Sequence, residues 1–488
     1  GDCYSFLKTK IVNDGKSHSN LSRLVMKAMG VFGGVKVVEM LCSIVRNKLV
    51  AMWIGPVGIA LFAIYNQALE MINTATALDT RRSSVREISR AVVDGDEGFV
   101  ARIVAVVRRW SLWLGLAGAL ITIALAQVLS HYNCGTTAWG FVALSIAVLL
   151  VTLSNGEQAV LQGLSRLNRL ARVGLWGSLG GLAISVPLFY FLRERSIVPS
   201  IIAYAACGAL AAWLLRERGL PKPRMTVRET AVAGAGFVKL GIFMTVGSFV
   251  AILIDFIFTA WLTHESLTVV GYYKAGYTLF TKYTGLVFTA LGMEFYPRLA
   301  SVVKSRLRVR AYVGQEILIA LTVLAPVLAL LIVLRGPVIE LLYSSEFDCM
   351  ATFVSWGLLG IIFKAVSWCM AFVILARGDG KMYLLVESLD ALVGITLNII
   401  FYKLWGLNGL GASFVVWYVI YTLIVAAVYL GRYRLRLAPA VPVAIAIVTM
   451  AVAAVMALME TGLWPVAAAL TAALAVASLL ILRRLWHH

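Results

Sequence analysis

The sequence has 488 residues, of which 61% are hydrophobic and 14% charged, with a mean hydropathy of +0.88. That excludes a soluble globular domain, because the apolar residues come in blocks of about 20, the length that crosses a ~30 Å hydrocarbon core as a helix. The net charge of +19 would suit a nucleic-acid binder, but the placement of the cations excludes that reading.

Fourteen apolar blocks follow in chain order, at 28–52, 57–80, 110–130, 138–160, 172–192, 197–215, 241–263, 269–293, 311–334, 351–376, 382–403, 408–430, 440–459 and 464–482. They predict an all-α integral membrane protein with 14 transmembrane helices. The two tails and the even-numbered connections carry 32 of the 43 Lys and Arg, in the stretches 8–23, 81–109, 166–172, 216–239, 298–310, 377–381, 432–436 and 483–484. The odd-numbered connections hold only Arg193, Arg195, Arg335 and Lys403. This positive-inside asymmetry puts both termini in the cytoplasm. The chain starts at Gly1 rather than Met and ends in His487–His488, as a processed product would. No cleavable signal peptide is needed if the first span inserts itself.

The remaining seven cations fall inside the spans: Lys27, Lys36, Arg46, Lys48, Lys274, Lys282 and Lys364. Lys27, at an edge, can snorkel. Lys364 cannot. At least twelve residues, about 18 Å of helix, separate it from either end of the tenth span. A lysine at that depth costs about 2.5–3.5 kcal/mol even on a mild insertion scale. In the first span Glu39 shares a helical face with Arg46 and neighbours Lys36. The second span carries Asn66, Glu70, Asn73 and Thr74, the seventh Asp255, and the eighth Lys274, Thr278, Thr281 and Lys282. The eleventh places Glu387, Asp390 and Asn398 along one side.

One reading pairs these charges to lock helices together, Glu39 with Lys36 and Asp255 with Lys274. The other is a water-filled cavity with excess positive charge, since intramembrane charges face such pathways. The cavity reading takes Arg46, Lys48, Lys274, Lys282 and Lys364 as binding residues, with Arg81 and Arg82 in the basic connection beyond the second span. It favours an anionic substrate, and phosphate suits both Lys and Arg. Tyr65, Tyr272, Tyr273, Tyr277, Tyr283 and Trp368 could stack on sugars. Glu70, Asp255 and Asp390 are the titratable candidates for ion coupling.

Two short similarities six spans apart suggest a repeat. "QGLSRLNRL" (162–170) and "RGDGKMYLL" (377–385) both set a glycine three residues before a cation, and "VGIALFAIYNQAL" (57–69) parallels "LTVVGYYKAGYTL" (267–279). The expected organisation is a tail at 1–26, a six-helix half at 27–216 and a basic linker at 217–240. A second half follows at 241–431, with two extra helices and a tail at 432–488. Two pseudo-symmetric halves would hold substrate between them near mid-membrane. No Walker loop, HExxH or nucleophile elbow occurs, so neither an enzyme nor a cofactor is expected. The six cysteines have no metal-ligand spacing, although Cys134 and Cys349 fall on the outer side, where they could pair.

Three stretches carry a family resemblance: "RNKLVAMWIGPVGIALFAIYN" (46–66), "VGYYKAGYTLFTKYTGLVFTALGMEFYPRLA" (270–300) and "WGLLGIIFKAVSWCMAFVILARGDGKMYLLVE" (356–387). Over about 22–435 the chain resembles the bacterial lipid-linked oligosaccharide flippases. These are the O-antigen and enterobacterial common antigen translocases of the multidrug/oligosaccharidyl-lipid/polysaccharide exporter superfamily. The resemblance implies an inner-membrane protein that turns an undecaprenyl-diphosphate-linked oligosaccharide to the periplasmic leaflet. The polysaccharide polymerase and chain-length machinery would be its partners. Lys364, in "GIIFKA", sits where such flippases tend to carry a tenth-helix lysine. A multidrug exporter of the same superfamily is the alternative, disfavoured because its substrates are mostly cationic. A glycosyl-polymerase or ligase is disfavoured by the short outer connections.

Overall fold

The computed structural model describes residues 17–77, 80–94, 97–221, 223 and 225–486, and all of its regular structure there is helical. The tail expected over 1–26 lies outside the described residues as far as residue 16 and is helical from Ser17. Among the described residues, eight helical stretches are long and apolar enough to cross a membrane: 97–132, 138–163, 167–214, 306–333, 345–376, 380–432, 440–460 and 464–483. The first, second, seventh and eighth expected blocks fall in helices outside those eight, the ones that carry the intramembrane charges of the first half of the sequence and of 255–282.

The chain divides into two compact units. Among the described residues, the first comprises those of 17–46, 69–129 and 137–246, and the second those of 47–68, 130–136 and 247–486. Helix α1 (Ser17–Trp53) ends at the WIGP turn. Gly55 adopts φ +83 there, and its N–H reaches the Val50 and Ala51 carbonyls at 3.1 Å each. Only glycine takes that backbone conformation without strain, and Pro56 then opens α2 (Pro56–Ala77) with its φ already helical.

In the first unit, the expected basic connection 81–109 is a short amphipathic helix, α3 (Thr80–Asp94), followed by the start of α4 (Glu97–Tyr132). Ile88 and Ala91 of α3 pack with Val100, Val104 and Val107 of α4 and with Val160 of α5 (Ala138–Gly163). Arg108 of α4 grips Glu157 of α5 with two hydrogen bonds of 2.7 and 3.0 Å. Thr137 caps α5 by accepting the Gly140 N–H at 3.1 Å. Helices α6 (Leu167–Leu192) and α7 (Ile197–Leu214) form a tight pair. A Cβ on Gly177 would meet the Gly208 Cα at 3.0 Å, so their backbones approach as only small residues permit. Helix α8 (Val227–Glu265) begins with a capping box read directly from TVRE: Thr226 Oγ1 accepts from the Glu229 N–H and Glu229 Oε2 from the Thr226 N–H.

The second unit is built around α12 (Ala351–Ala376), whose residues are mostly buried. It packs against α9 (Leu267–Val302), α10 (Arg306–Val333), the short α11 (Arg335–Leu342) and α13 (Gly380–Ala427). Aromatic rings fill this core. The Phe280 ring lies 5.6 Å from that of Phe353 and 4.8 Å from that of Phe414, and the three rings sit over Gly357, Gly276 and Gly360 in turn. Helix α13 is broken at Trp405 and Gly406, which leave helical geometry. Its arms, the expected eleventh and twelfth spans, run back along each other as a hairpin. Asp379 fastens the open end of that hairpin. It caps α13 at the Met382 N–H (3.3 Å) and receives the Arg432 Nε and Tyr433 hydroxyl at 3.1 Å each. Although desolvation works in the other direction, these donors hold the Asp379 carboxyl below the ordinary carboxylate range. Helices α14 (Ala440–Glu460) and α15 (Trp464–Trp486) flank α10, and Arg335 ties α14 down through Glu460 at 2.6 Å. Cys134 and Cys349 are free thiols, so the outer-side disulfide does not form.

Candidate functional site

Within the second unit the expected site residues fall into two clusters and two outliers. The first cluster joins three helices at Asp255 of α8. Lys274 of α9 lies 3.0 Å from one carboxylate oxygen and 3.1 Å from the other, and Gln67 of α2 donates to the first at 2.6 Å. The lysine side chain is 12% exposed and the aspartate 44%. This is the helix-locking pair expected as one of two readings. Gln67 completes it and, being uncharged, gave no signal in a search for intramembrane charge.

The second cluster surrounds Lys364 of α12. Its ammonium lies 5.2 Å from the centroid of the Tyr418 ring and 6.0 Å from that of Phe414, both on the returning arm of α13. A cation over an aromatic face is attracted by the ring quadrupole. Lys364 forms no ion pair among the described residues. The nearest acid on the hairpin, Asp390, is held by the Trp417 Nε1–H at 2.7 Å, and Trp417 in turn stacks on Tyr418 at 5.2 Å.

The polar edge expected on the eleventh span is therefore a ladder inside the hairpin. Glu387 accepts from Tyr421 (3.0 Å), Asp390 from Trp417, and Asn398 from Ser413. The aromatic half of that ladder was not anticipated. Its signal was present in the twelfth span, where Phe414, Trp417, Tyr418 and Tyr421 recur at helical spacing.

Of the outliers, Lys48 donates to the Glu340 carbonyl at 2.6 Å, and Lys282 is exposed. The first unit holds the rest. The Arg46 guanidinium stacks 4.3 Å over the Tyr204 ring, and Lys36 pairs with Glu39 at 2.6 Å as expected. Glu70 and Arg81 are exposed, and the Arg82 side chain lies outside the described residues. Glu316 of α10 was missed, although counting the acids within spans as the cations were counted would identify it. Its Oε1 is buried with no hydrogen-bond partner among the described residues. No group of three or more His, Cys, Asp or Glu close enough to hold a metal occurs among the described residues.

The sequence model of the family described as "Polysaccharide biosynthesis protein" matches residues 88–352, more than half of the chain. The chain belongs to the polysaccharide biosynthesis protein family. A comparison with curated proteins found no match. Among solved structures, this polysaccharide biosynthesis protein is similar to the lipid II flippase MurJ in an inward closed conformation. The TM-score is 0.65 and the identity 12%, with 94% of this chain and 99% of that one covered. It is similar also to an inward-facing multidrug resistance MATE family transporter of the MOP superfamily (TM-score 0.65, 13% identity, 81% of this chain and 94% of the other). An outward-facing MATE transporter of that superfamily matches at TM-score 0.52 and 13% identity, over 83% of this chain and 93% of the other. The family member thus shares the fold of both transporter types, and Lys364 sits on one of the eight helical stretches long and apolar enough to cross a membrane.

Proposed function

We propose that the protein flips an undecaprenyl-diphosphate-linked oligosaccharide from the cytoplasmic to the periplasmic leaflet of the bacterial inner membrane, supplying cell-surface polysaccharide assembly. It does so as a 14-span protein with both termini cytoplasmic. Two six-helix halves alternate in access while the prenyl tail stays in lipid.

The observation that carries this reading is Lys364, a cation on a membrane helix that rests on aromatic faces and forms no ion pair among the described residues. A lysine so placed keeps its charge for an anion brought from outside, and a diphosphate is an acceptor of matching charge. Lys274 differs, because Asp255 already takes its charge. Protonation of Asp255 would release it, which makes that pair a coupling element; Asp390, beside Lys364, is the other. Arg46, Lys48, Lys282, Arg81 and Arg82 supply charge along the route. Membership of a polysaccharide biosynthesis family supports a glycan-bearing substrate over a drug.

The test is reconstitution in vesicles with a fluorescent lipid-linked oligosaccharide and an outside-added quencher. Flipping by the intact protein is expected, with loss in Lys364→Ala. Transport of cationic dyes without flipping would instead make the protein a multidrug exporter.

A further inference from the structure

At one end of the first unit, where α5 turns into α6 and α7 ends, two cavities adjoin. One, of about 380 Å³, is lined by Arg169 and residues 214–219. The other, of about 330 Å³, is lined by residues 165–169 and Arg172. Arg169 belongs to both walls. Among the described residues, five arginines (Arg166, Arg169, Arg172, Arg216 and Arg218) line this region, against a single carboxylate, Glu217.

That carboxylate is already committed. Glu217 is 13% exposed and takes Arg169 at 3.1 Å and Arg166 at 3.5 Å, while its other oxygen receives the Gly219 N–H at 3.2 Å. Its carbonyl accepts from Arg108 at 2.9 Å. Arg216 and Arg218 place their guanidinium groups 5.2 and 5.7 Å from the Trp213 ring. Arg166 and Arg169 are held by Glu217, and Arg216 and Arg218 lie against Trp213, with more donors than Glu217 can use.

Beside the arginines, Trp213 and Leu214 are 51% and 54% exposed at the end of a membrane-crossing stretch. Exposed apolar side chains there meet hydrocarbon rather than water. A ligand that satisfies both surfaces carries a phosphate and an acyl chain in one molecule. We propose that the two cavities bind the phosphodiester headgroup of an anionic phospholipid. Its phosphate oxygens take the guanidinium forks, and its acyl region lies along Leu214 and Trp213.

The experiment titrates phosphatidylglycerol into the delipidated, detergent-solubilised full chain and counts bound lipid by native mass spectrometry. The reading needs no flipping activity and is independent of the proposed transport function. The variant R216Q/R218Q removes two arginines that take no part in the Glu217 ion pairs, so the fold is left intact. It is expected to bind phosphatidylglycerol at least tenfold more weakly. Arg172→Gln, a single exposed change, is expected to weaken binding to a smaller degree. The charge-matched control R306Q/R308Q alters exposed arginines in the second unit and is expected to bind as the wild type does. Equal weakening in that control would reduce the effect to bulk charge and overturn the proposal, as would equal binding of phosphatidylcholine. Displacement of the lipid by millimolar inorganic phosphate, with the same dependence on Arg216 and Arg218, would assign the cavities to a soluble phosphate and overturn the lipid.

Discussion

Two lysines on neighbouring helices should respond in opposite ways to the same substitution. Lys274→Ala leaves Asp255 without its cation, with only the Gln67 amide still donating to it. Breaking a fully buried pair is destabilising by about 3–5 kcal/mol. With the Asp255 side chain 44% exposed, solvent screening brings the expectation down to about 1–2 kcal/mol. Lys364→Ala breaks no ion pair among the described residues and leaves Asp390 its Trp417 donor. It gives up cation–π contacts with Tyr418 and Phe414, about 0.5–2 kcal/mol, and relieves the desolvation of a cation on a membrane helix, which acts with opposite sign. The alanine variant at 364 should therefore melt near the wild type, and the one at 274 a few degrees lower. Activity should reverse that order. Surface glycan display in a flippase-null strain should collapse for Lys364→Ala, stay absent for Lys364→Gln and recover in part for Lys364→Arg, whose charge is right and whose shape is not. A Lys364→Ala protein that is well folded and displays glycan normally would refute the role assigned to Lys364.

Other changes test the packing and the hairpin. Gly271→Ala points a Cβ into the Pro56 carbonyl, backbone that cannot move aside; a loss of about 3 kcal/mol or more, or failure to accumulate, is expected in expression and melting measurements. Glu460→Leu leaves Arg335 facing Ser355 alone and should be partly repaired by Arg335→Met in a double-mutant cycle. Asp379 titrates below the ordinary carboxylate value when folded. Its stabilising contribution is complete above that ordinary value and fades as pH falls through the depressed one. Asp379→Asn should therefore flatten the acid limb of a melting-temperature profile, and an unchanged limb would disprove the assignment.

Much of this was legible in the sequence, for reasons visible at particular residues. Apolar length located the eight stretches long and apolar enough to cross a membrane, and proximity along one helix gave Lys36–Glu39. Adjacency of the seventh and eighth spans gave Asp255–Lys274. Gln67 was not legible because it lies 188 residues from Asp255, and nothing local marks a neutral amide as the partner of a distant acid. The assignment of 47–68 to the second unit was hidden in the same way, since span order implies sequential halves. That Glu387, Asp390 and Asn398 share one side of the eleventh span was legible; their partners become apparent only once the chain reverses at Gly406 and brings 413–421 alongside.

The clasp at Asp379 bears on how the protein is made. Arg432 and Tyr433 follow Asp379 by 53 and 54 residues, so the ribosome delivers the acid well before its partners. In the interval two apolar arms must enter the bilayer and reverse at Trp405–Gly406. Only a hairpin inserted to full depth returns Arg432 to the side where Asp379 waits. A chain whose second arm stalls, or enters one turn out of register, presents an arginine that finds no carboxylate. The clasp therefore closes only in a chain whose two arms have both been placed and reversed.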